Sequence, residues 1–231
     1  MFPSLDIYND DVPRSAALNM ALDEVLWESA STPSLRIYRW DRLALSFGYF
    51  GRYRDVAAYA HERELVRRCT GGGIVLHGDD LTYALVIPST HLVGSPLTMY
   101  ALVHRVIQRA LIESGLAATM AKSGTHSGNN HAHDDGHISP NDSYACFTNP
   151  VASDVLVDGV KVAGAAQRRS RRSLLQQGSI QNVRLPQNFA ERFAQRLSVQ
   201  CRRPRIDTAI LGRAHQIAGQ KYATNAWLRK R

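Results

Sequence analysis

Apolar and polar positions alternate with two periods along the chain, and the switches between them predict its elements. After Ser15, the residues Leu18, Ala21, Leu22, Val25 and Leu26 recur at helical spacing, with the serine placed to cap the first turn. Asn19, Asp23 and Glu24 fall on the other side, so the expectation is a surface helix with one buried stripe. Residues 34–40 (SLRIYRW) and 43–47 (LALSF) are short and rich in β-branched and aromatic types, which reads as strands. Segments 65–68, 74–76 and 81–87 continue in that style, separated by Gly71-Gly72-Gly73 and Gly78-Asp79-Asp80 and ended by Pro88. Met99, Leu102, Val103, Val106 and Ala110 then repeat helically over 96–114, opened by Ser95 and Pro96 and closed by Gly115.

At 123–143 (SGTHSGNNHAHDDGHISPNDS) small and polar residues replace the core-forming types, which predicts a mobile, His-rich loop inside a compact domain. Strand character resumes at 154–157 and 160–163 about Asp158-Gly159, a two-residue turn that favours a tight hairpin. A further strand is expected at 173–181 and amphipathic helices at 189–197 and 214–229, with no internal repeats. A chain of 231 residues accommodates this as one domain, 1–231.

Composition narrows the setting. No run approaches the roughly 18 apolar residues that span a bilayer, and the opening MFPSLDIYNDD has neither the basic start nor the apolar centre of an export signal. Cytoplasm is therefore the expected compartment, without membrane association. Three widely spaced cysteines, Cys69, Cys146 and Cys201, are an odd number and point to reduced thiols rather than a disulfide framework. The net charge of +8 implies acidic partners. Nucleic acid is disfavoured among them, because the basic stretches 168–172 and 229–231 lack interleaved aromatic residues.

Four segments are candidates for chemistry. Arg67 and Arg68 precede Cys69, Thr70 and the triplet Gly71-Gly72-Gly73, whose backbone amides can approach an anionic or polar group; the triplet reads equally as a plain strand connection beside two solvated arginines. Lys161 is followed by Ala163, Gly164, Ala165 and Ala166, small enough to let it reach a pocket, although a strand lysine is ordinarily an exposed edge charge. Cys146 follows the polar loop and is either a reactive thiol at a site rim or a small buried hydrophobe, while Cys69 has the more electropositive neighbours. His126, His131, His133 and His137 crowd the loop, but zinc ligands need to be held by structure, so no metal site is expected there.

Three blocks in order, SLRIYRWDRLALSFGYF at 34–50, RRCTGGGIVLHGDDLTYALVIP at 67–88 and SDVLVDGVKVAGAAQRRSRRSLLQQGSI at 153–180, together with NMALDE at 19–24, resemble the lipoate-protein ligase A and octanoyltransferase group of the biotin/lipoate protein ligase superfamily. The resemblance covers the chain through about residue 200. It implies an α+β fold, a central mixed or antiparallel sheet with flanking helices, in which an arginine-glycine loop and a lysine strand line an acyl pocket. Carried over to this chain, the substrate-binding residues are Arg68, Gly71, Gly72, Gly73, His77, Gly164, Ala165 and Gln167, and Lys161 contacts the acyl carbonyl or the acyl-adenylate.

Within the group the resemblance is nearest to the cysteine-dependent octanoyltransferases, because Ala145-Cys146-Phe147 stands ahead of the lysine strand where that subgroup has its nucleophile. The chain also ends about 50 residues after the last block, which leaves no room for the extra C-terminal domain of many ligases. This implies transfer of an octanoyl or lipoyl group from an acidic acyl carrier protein, through a Cys146 thioester, to a lysine of a lipoyl domain or glycine-cleavage H protein. No cofactor is then required. The alternative is an ATP- and magnesium-dependent lipoate ligase, toward which the Ser153-Asp154 pair points; a second alternative is a non-catalytic module that binds carrier domains.

Overall fold

The computed structural model describes residues 1–122 and 150–230. The predicted loop at 123–143, its histidines and Cys146 lie outside the described residues.

Eleven strands among the described residues form two sheets. The larger contains β1 (Leu5–Arg14), β2 (Ser34–Trp40), β6 (Leu81–Pro88), β7 (Ala118–Met120), β8 (Val155–Val157), β9 (Val160–Arg169), β10 (Ser173–Ile180) and β11 (Cys201–Arg202), in the order β11-β1-β2-β6-β10-β9-β8-β7. It is mixed: β1 runs parallel to β11 and β2, whereas β2, β6, β10, β9, β8 and β7 pair antiparallel. The smaller sheet joins β4 (Glu64–Arg67), β3 (Ala44–Phe47) and β5 (Ile74–His77). The predicted strands recur with ends moved by a residue or two, except that β9 continues to Arg169, because 164–169 pair in register with β10. Asp158 and Gly159 take φ of +50° and +79°, the left-handed turn that the hairpin demands.

The large sheet is covered on both faces, so its central strand β6 is buried along its whole length. Tyr83, Leu85 and Ile87 meet α2 (Pro96–Ile112) and α3 (Phe189–Leu197) through Met99, Val103, Ile107 and Phe193; Ala84 and Val86 face α1 (Ala16–Ser29) and α4 (Thr208–Ile217). Ser95 caps α2 by accepting from the Thr98 amide at 3.1 Å, and Gly115 stops it at φ +85°.

Two helical expectations are corrected. The polar side of α1 does not face water: Asn19 and Asp23 are fully buried. The reason is Arg36 on β2, itself buried, which donates to Asp23 Oδ1 at 2.7 Å, Asn19 Oδ1 at 2.6 Å and Asp10 Oδ2 at 2.7 Å. Glu24, the third residue of that side, is held by Lys221 and Tyr222 of the C-terminal segment. The single helix expected over 214–229 is α4, one π-helical stretch at Ala218–Tyr222, and the short α5 (Asn225–Leu228). Thr224 ends the stretch and caps α5 by accepting from the Trp227 amide.

Candidate active site

The two arginines at the end of β4 are buried, at 0% and 5% exposure, so they are not the solvated pair that the plain reading of the segment supposed. They diverge. Arg67 donates to the carbonyls of Tyr49, Gly51, Trp227 and Leu228 at 2.6–3.0 Å. Arg68 turns the other way, to the carbonyls of Gly71 (3.0 Å) and Gly73 (2.9 Å) and to Ser46 Oγ (2.7 Å). The glycine loop therefore wraps the Arg68 guanidinium with its carbonyls. Gly72 sits at φ +84°, where a side chain is strained, and Gly48 lies so close that a Cβ there would be 2.0 Å from the Gly72 carbonyl oxygen.

From Arg68 a buried relay continues. Ser46 Oγ is 2.6 Å from His77 Nε2, and His77 Nδ1 is 2.8 Å from Asp80 Oδ2. Burial holds the His77 pKa below its ordinary value, so the ring is neutral at pH 7. It donates from Nδ1 to the carboxylate and accepts from the serine hydroxyl at Nε2. Asp80 also accepts from Thr82 (2.9 Å), Ser179 (2.6 Å) and the Gly78 amide (3.1 Å), and Trp40 stacks on His77 at 4.0 Å.

These groups line a narrow slot that opens to solvent. Although Ser46, His77, Thr82, Gln177 and Ser179 line it, their polar atoms are bonded to neighbours in the wall: Gln177, for example, donates to Asp23 and accepts from Thr70. What the cavity presents is chiefly apolar surface from Met20, Tyr38, Trp40, Val75 and the small residues Gly164, Ala165 and Ala166. A slot of this kind suits a hydrocarbon chain.

At the β9 wall stands Lys161. It is 3% exposed, not an edge charge, and its Nζ lies 2.6 Å from Asp154 Oδ2, itself fully buried. Tyr100 on α2 donates to Asp154 Oδ1 at 2.5 Å and accepts from the Ala165 amide at 3.2 Å. Burial and Asp154 raise the Tyr100 pKa, so the phenol remains a donor. One turn along α2, His104 Nδ1 lies 2.8 Å from the Ser153 carbonyl, and Ser153 takes φ +73°. Burial lowers the His104 pKa to about 4. Gly164 leaves room for the lysine: a Cβ there would come within 2.7 Å of Lys161 Cε.

Of the residues singled out by sequence, Arg68, His77, Gly164 and Ala165 line the pocket, and Lys161 abuts it behind Gly164. Gly71, Gly72 and Gly73 lie behind Arg68, outside the lining, and Gln167 bonds Gln176 at 2.7 Å across β9 and β10, also outside it. Cys69 is buried, and burial pushes its thiol pKa up despite Arg168 and Lys221, so its basic neighbours do not activate it. Sequence reasoning missed Met20, Trp40, Ser46, Val75, Thr82, Gln177 and Ser179. The polar types within apolar strands were the available signal, since a buried polar side chain there must have a partner. Among the described residues no group of three or more His, Cys, Asp or Glu is arranged to hold a metal ion, and no helix is long and apolar enough to cross a membrane.

The chain matches the lipoyl protein ligase A/B catalytic domain over residues 15–202. Among similar proteins are the octanoyltransferase LipM of Oceanobacillus iheyensis, 38% identical over 181 residues that cover 74% of this chain and 62% of the relative, and that of Kyrpidia tusciae, 36% identical over 178 residues covering 72% and 62%. The chain thus spans about three fifths of the length of these two relatives. Octanoyltransferase LipM of Anoxybacillus flavithermus aligns at 30% identity with 94% of this chain and 95% of its own. The fold is that of solved lipoate ligases. A putative lipoate protein ligase of Thermoplasma acidophilum with bound lipoic acid superposes with a TM-score of 0.72 at 19% identity, covering 99% of this chain and 100% of that one; lipoate-protein ligase A bound with ATP gives 0.73 at 20% identity, covering 99% of both. On the domain match, the arginine-glycine loop and the lysine strand that it contains, this chain belongs to the lipoyl protein ligase A/B catalytic domain family.

Proposed function

We propose that the protein transfers an octanoyl group, or a lipoyl group, to a lysine of a lipoyl carrier domain in protein lipoylation. The observation that carries this reading is the apolar slot ending beside the buried Lys161–Asp154 pair. The hydrocarbon fills the slot and its carbonyl lies toward Lys161, whose positive charge stabilises the oxyanion formed during transfer. Asp154, fixed by Tyr100 and the Val151 amide, orients the lysine. The names of the LipM relatives support an octanoyl donor.

The chemistry is two acyl transfers without a cofactor. The Cys146 thiolate attacks the thioester carbonyl of octanoyl-acyl carrier protein and expels the carrier thiolate. The ε-amine of the acceptor lysine, on an acidic lipoyl domain or a glycine-cleavage H protein, then attacks the acyl-cysteine, loses a proton and releases the Cys146 thiolate. A reducing, cytoplasmic setting suits this nucleophile, and Cys69 and Cys201 are free thiols.

Intact-mass analysis after mixing with octanoyl-acyl carrier protein, in the absence of ATP, tests the reading. The expected result is one hydroxylamine-sensitive octanoyl adduct on Cys146, abolished in Cys146→Ala. Retention of the adduct in that variant, or acylation only from free octanoate with ATP and magnesium, overturns the thioester route and favours a ligase. Carrier binding with no turnover from either donor favours a non-catalytic module.

A further inference from the structure

Behind the glycine loop, on the side away from the acyl pocket, cations and aromatic rings gather from three parts of the chain. Ala166 lines the pocket, and a Cβ on Gly72 would touch Ala166 Cβ at 3.2 Å. Gly72 and Gly73 in turn line an outer groove with Phe50 and Arg52, and Arg52 borders a second hollow with Tyr53, Arg54 and Arg229. The loop is thus a wall shared by the pocket and this outer surface.

The cations ride on rings. The Arg229 guanidinium is 4.5 Å from the Tyr53 centroid, Lys230 is 5.0 Å from Tyr49 and 4.9 Å from Trp227, and Arg168 is 5.9 Å from Tyr49. Such contacts position the charges while leaving them largely hydrated. Sequence order hid most of this arrangement: the C-terminal basic run has no interleaved aromatics and only Trp227 close before it, and the fold brings Tyr49 and Tyr53 to it. Arg67 fastens the two parts together, since its four carbonyl acceptors come from Tyr49, Gly51, Trp227 and Leu228.

Among the described residues, Asp55 is the only carboxylate within ion-pair distance of Arg52, Arg54, Arg168, Arg229 and Lys230. The surface therefore has a surplus of positive charge. Phe50 stands in it at 70% exposure. An apolar anchor ringed by arginines and aromatics over a shallow relief is the make-up of a protein interface rather than of a small-anion site.

We propose that this surface docks the acidic, lysine-bearing domain that accepts the acyl group. The proposal rests on the acyl-transfer reading above and adds to it the place and the residues of recognition. Arg229 and Lys230 lie beyond the family match at 15–202, so part of the partner contact is made outside the matched catalytic domain.

The test uses Arg54→Glu/Arg229→Glu in the full chain, with Arg105→Glu/Arg109→Glu, an equal charge change on exposed positions of α2, as the comparison. Binding of a fluorescently labelled, negatively charged apo lipoyl domain is measured against sodium chloride, beside KM for that domain and self-acylation by an octanoyl thioester of a small thiol. The patch variant is expected to weaken binding and raise KM roughly 10- to 100-fold and to flatten the salt dependence, with self-acylation and melting temperature unchanged. The α2 variant is expected to bind like the parent. An unchanged Kd in the patch variant, an equal loss in the α2 variant, or loss of oligonucleotide affinity alone overturns the proposal. Should the parent protein show no acylation, the transferase reading fails while the binding measurement still decides whether this surface docks the domain.

Discussion

Replacing Gly164 with alanine separates stability from catalysis. The added Cβ would lie 2.7 Å from Lys161 Cε and 3.0 Å from Nζ, whereas unstrained carbon contacts begin near ~3.5 Å. The lysine end must therefore retreat by roughly 1 Å from a position fixed by its 2.6 Å contact with Asp154. The glycine has no left-handed φ, so the backbone accepts alanine, and the loss of unfolded-state freedom stabilises by about 0.4–1 kcal/mol. The nearest obstruction is the end of a flexible side chain, which moves at small cost to folding. A displacement of this size at a charge-stabilising group slows transfer by about 100-fold. Octanoyl transfer at saturating donor should thus fall by that order while the melting temperature stays level or rises slightly. In a Lys161→Met background the alanine should slow transfer no further, because the charge it displaces is gone. Transfer at the parental rate in Gly164→Ala, or an equal loss in both backgrounds, would refute the reasoning.

Three further outcomes are expected. In Gly48→Ala the new Cβ meets backbone, 2.0 Å from the Gly72 oxygen and 2.7 Å from the Gly71 oxygen, so urea denaturation should show a loss of about 1–3 kcal/mol, with weakened octanoate binding as the Arg68 loop shifts. Arg36→Met strands the fully buried Asp23 and leaves Asp10 with Arg14 alone, and should cost about 3–5 kcal/mol at pH 7; a loss below ~1 kcal/mol would mean that Asp23 finds another partner. His104, with its pKa lowered to about 4 against about 6.5 in the unfolded chain, binds its proton more readily when unfolded. Its contribution is present above pH 6.5 and is lost as pH falls toward 4, on the order of 3 kcal/mol in all; denaturation midpoints across that window should flatten in His104→Asn.

Local chemistry made much of the fold legible. Ser95, Pro96 and Gly115 delimit α2, and Asp158-Gly159 sets the hairpin that carries Lys161. The illegible parts depend on partners distant in sequence. Nothing near Asn19 or Asp23 announces Arg36, so a polar helix face looked solvated until the sheet placed a guanidinium beneath it. β1 was missed because LDIYNDDVPR buries only Leu5, Ile7 and Asp10, the last through Arg14 and Arg36. The helical period of 214–229 continued past Ala218, and the π-helical break there coincides with the reach of Lys221 and Tyr222 to Glu24. In the pocket, the family resemblance marked Arg68, His77 and Gly164, but not the residues that keep the slot dry. Their role appears only once Asp80 is seen gathering Thr82, Ser179 and His77 from three strands or turns.

The clasp at Arg67 also bears on the order in which the protein is made. Its guanidinium is fully buried, and two of the carbonyls it holds, those of Trp227 and Leu228, are 160 and 161 residues away. On the ribosome those acceptors emerge long after Arg67 itself, so until they arrive an arginine at the base of the glycine loop is without half of its carbonyl partners. Such a group resists burial. The corner at the base of the glycine loop therefore closes only once Trp227 and Leu228 have been made, and a chain truncated before Trp227 should leave it open.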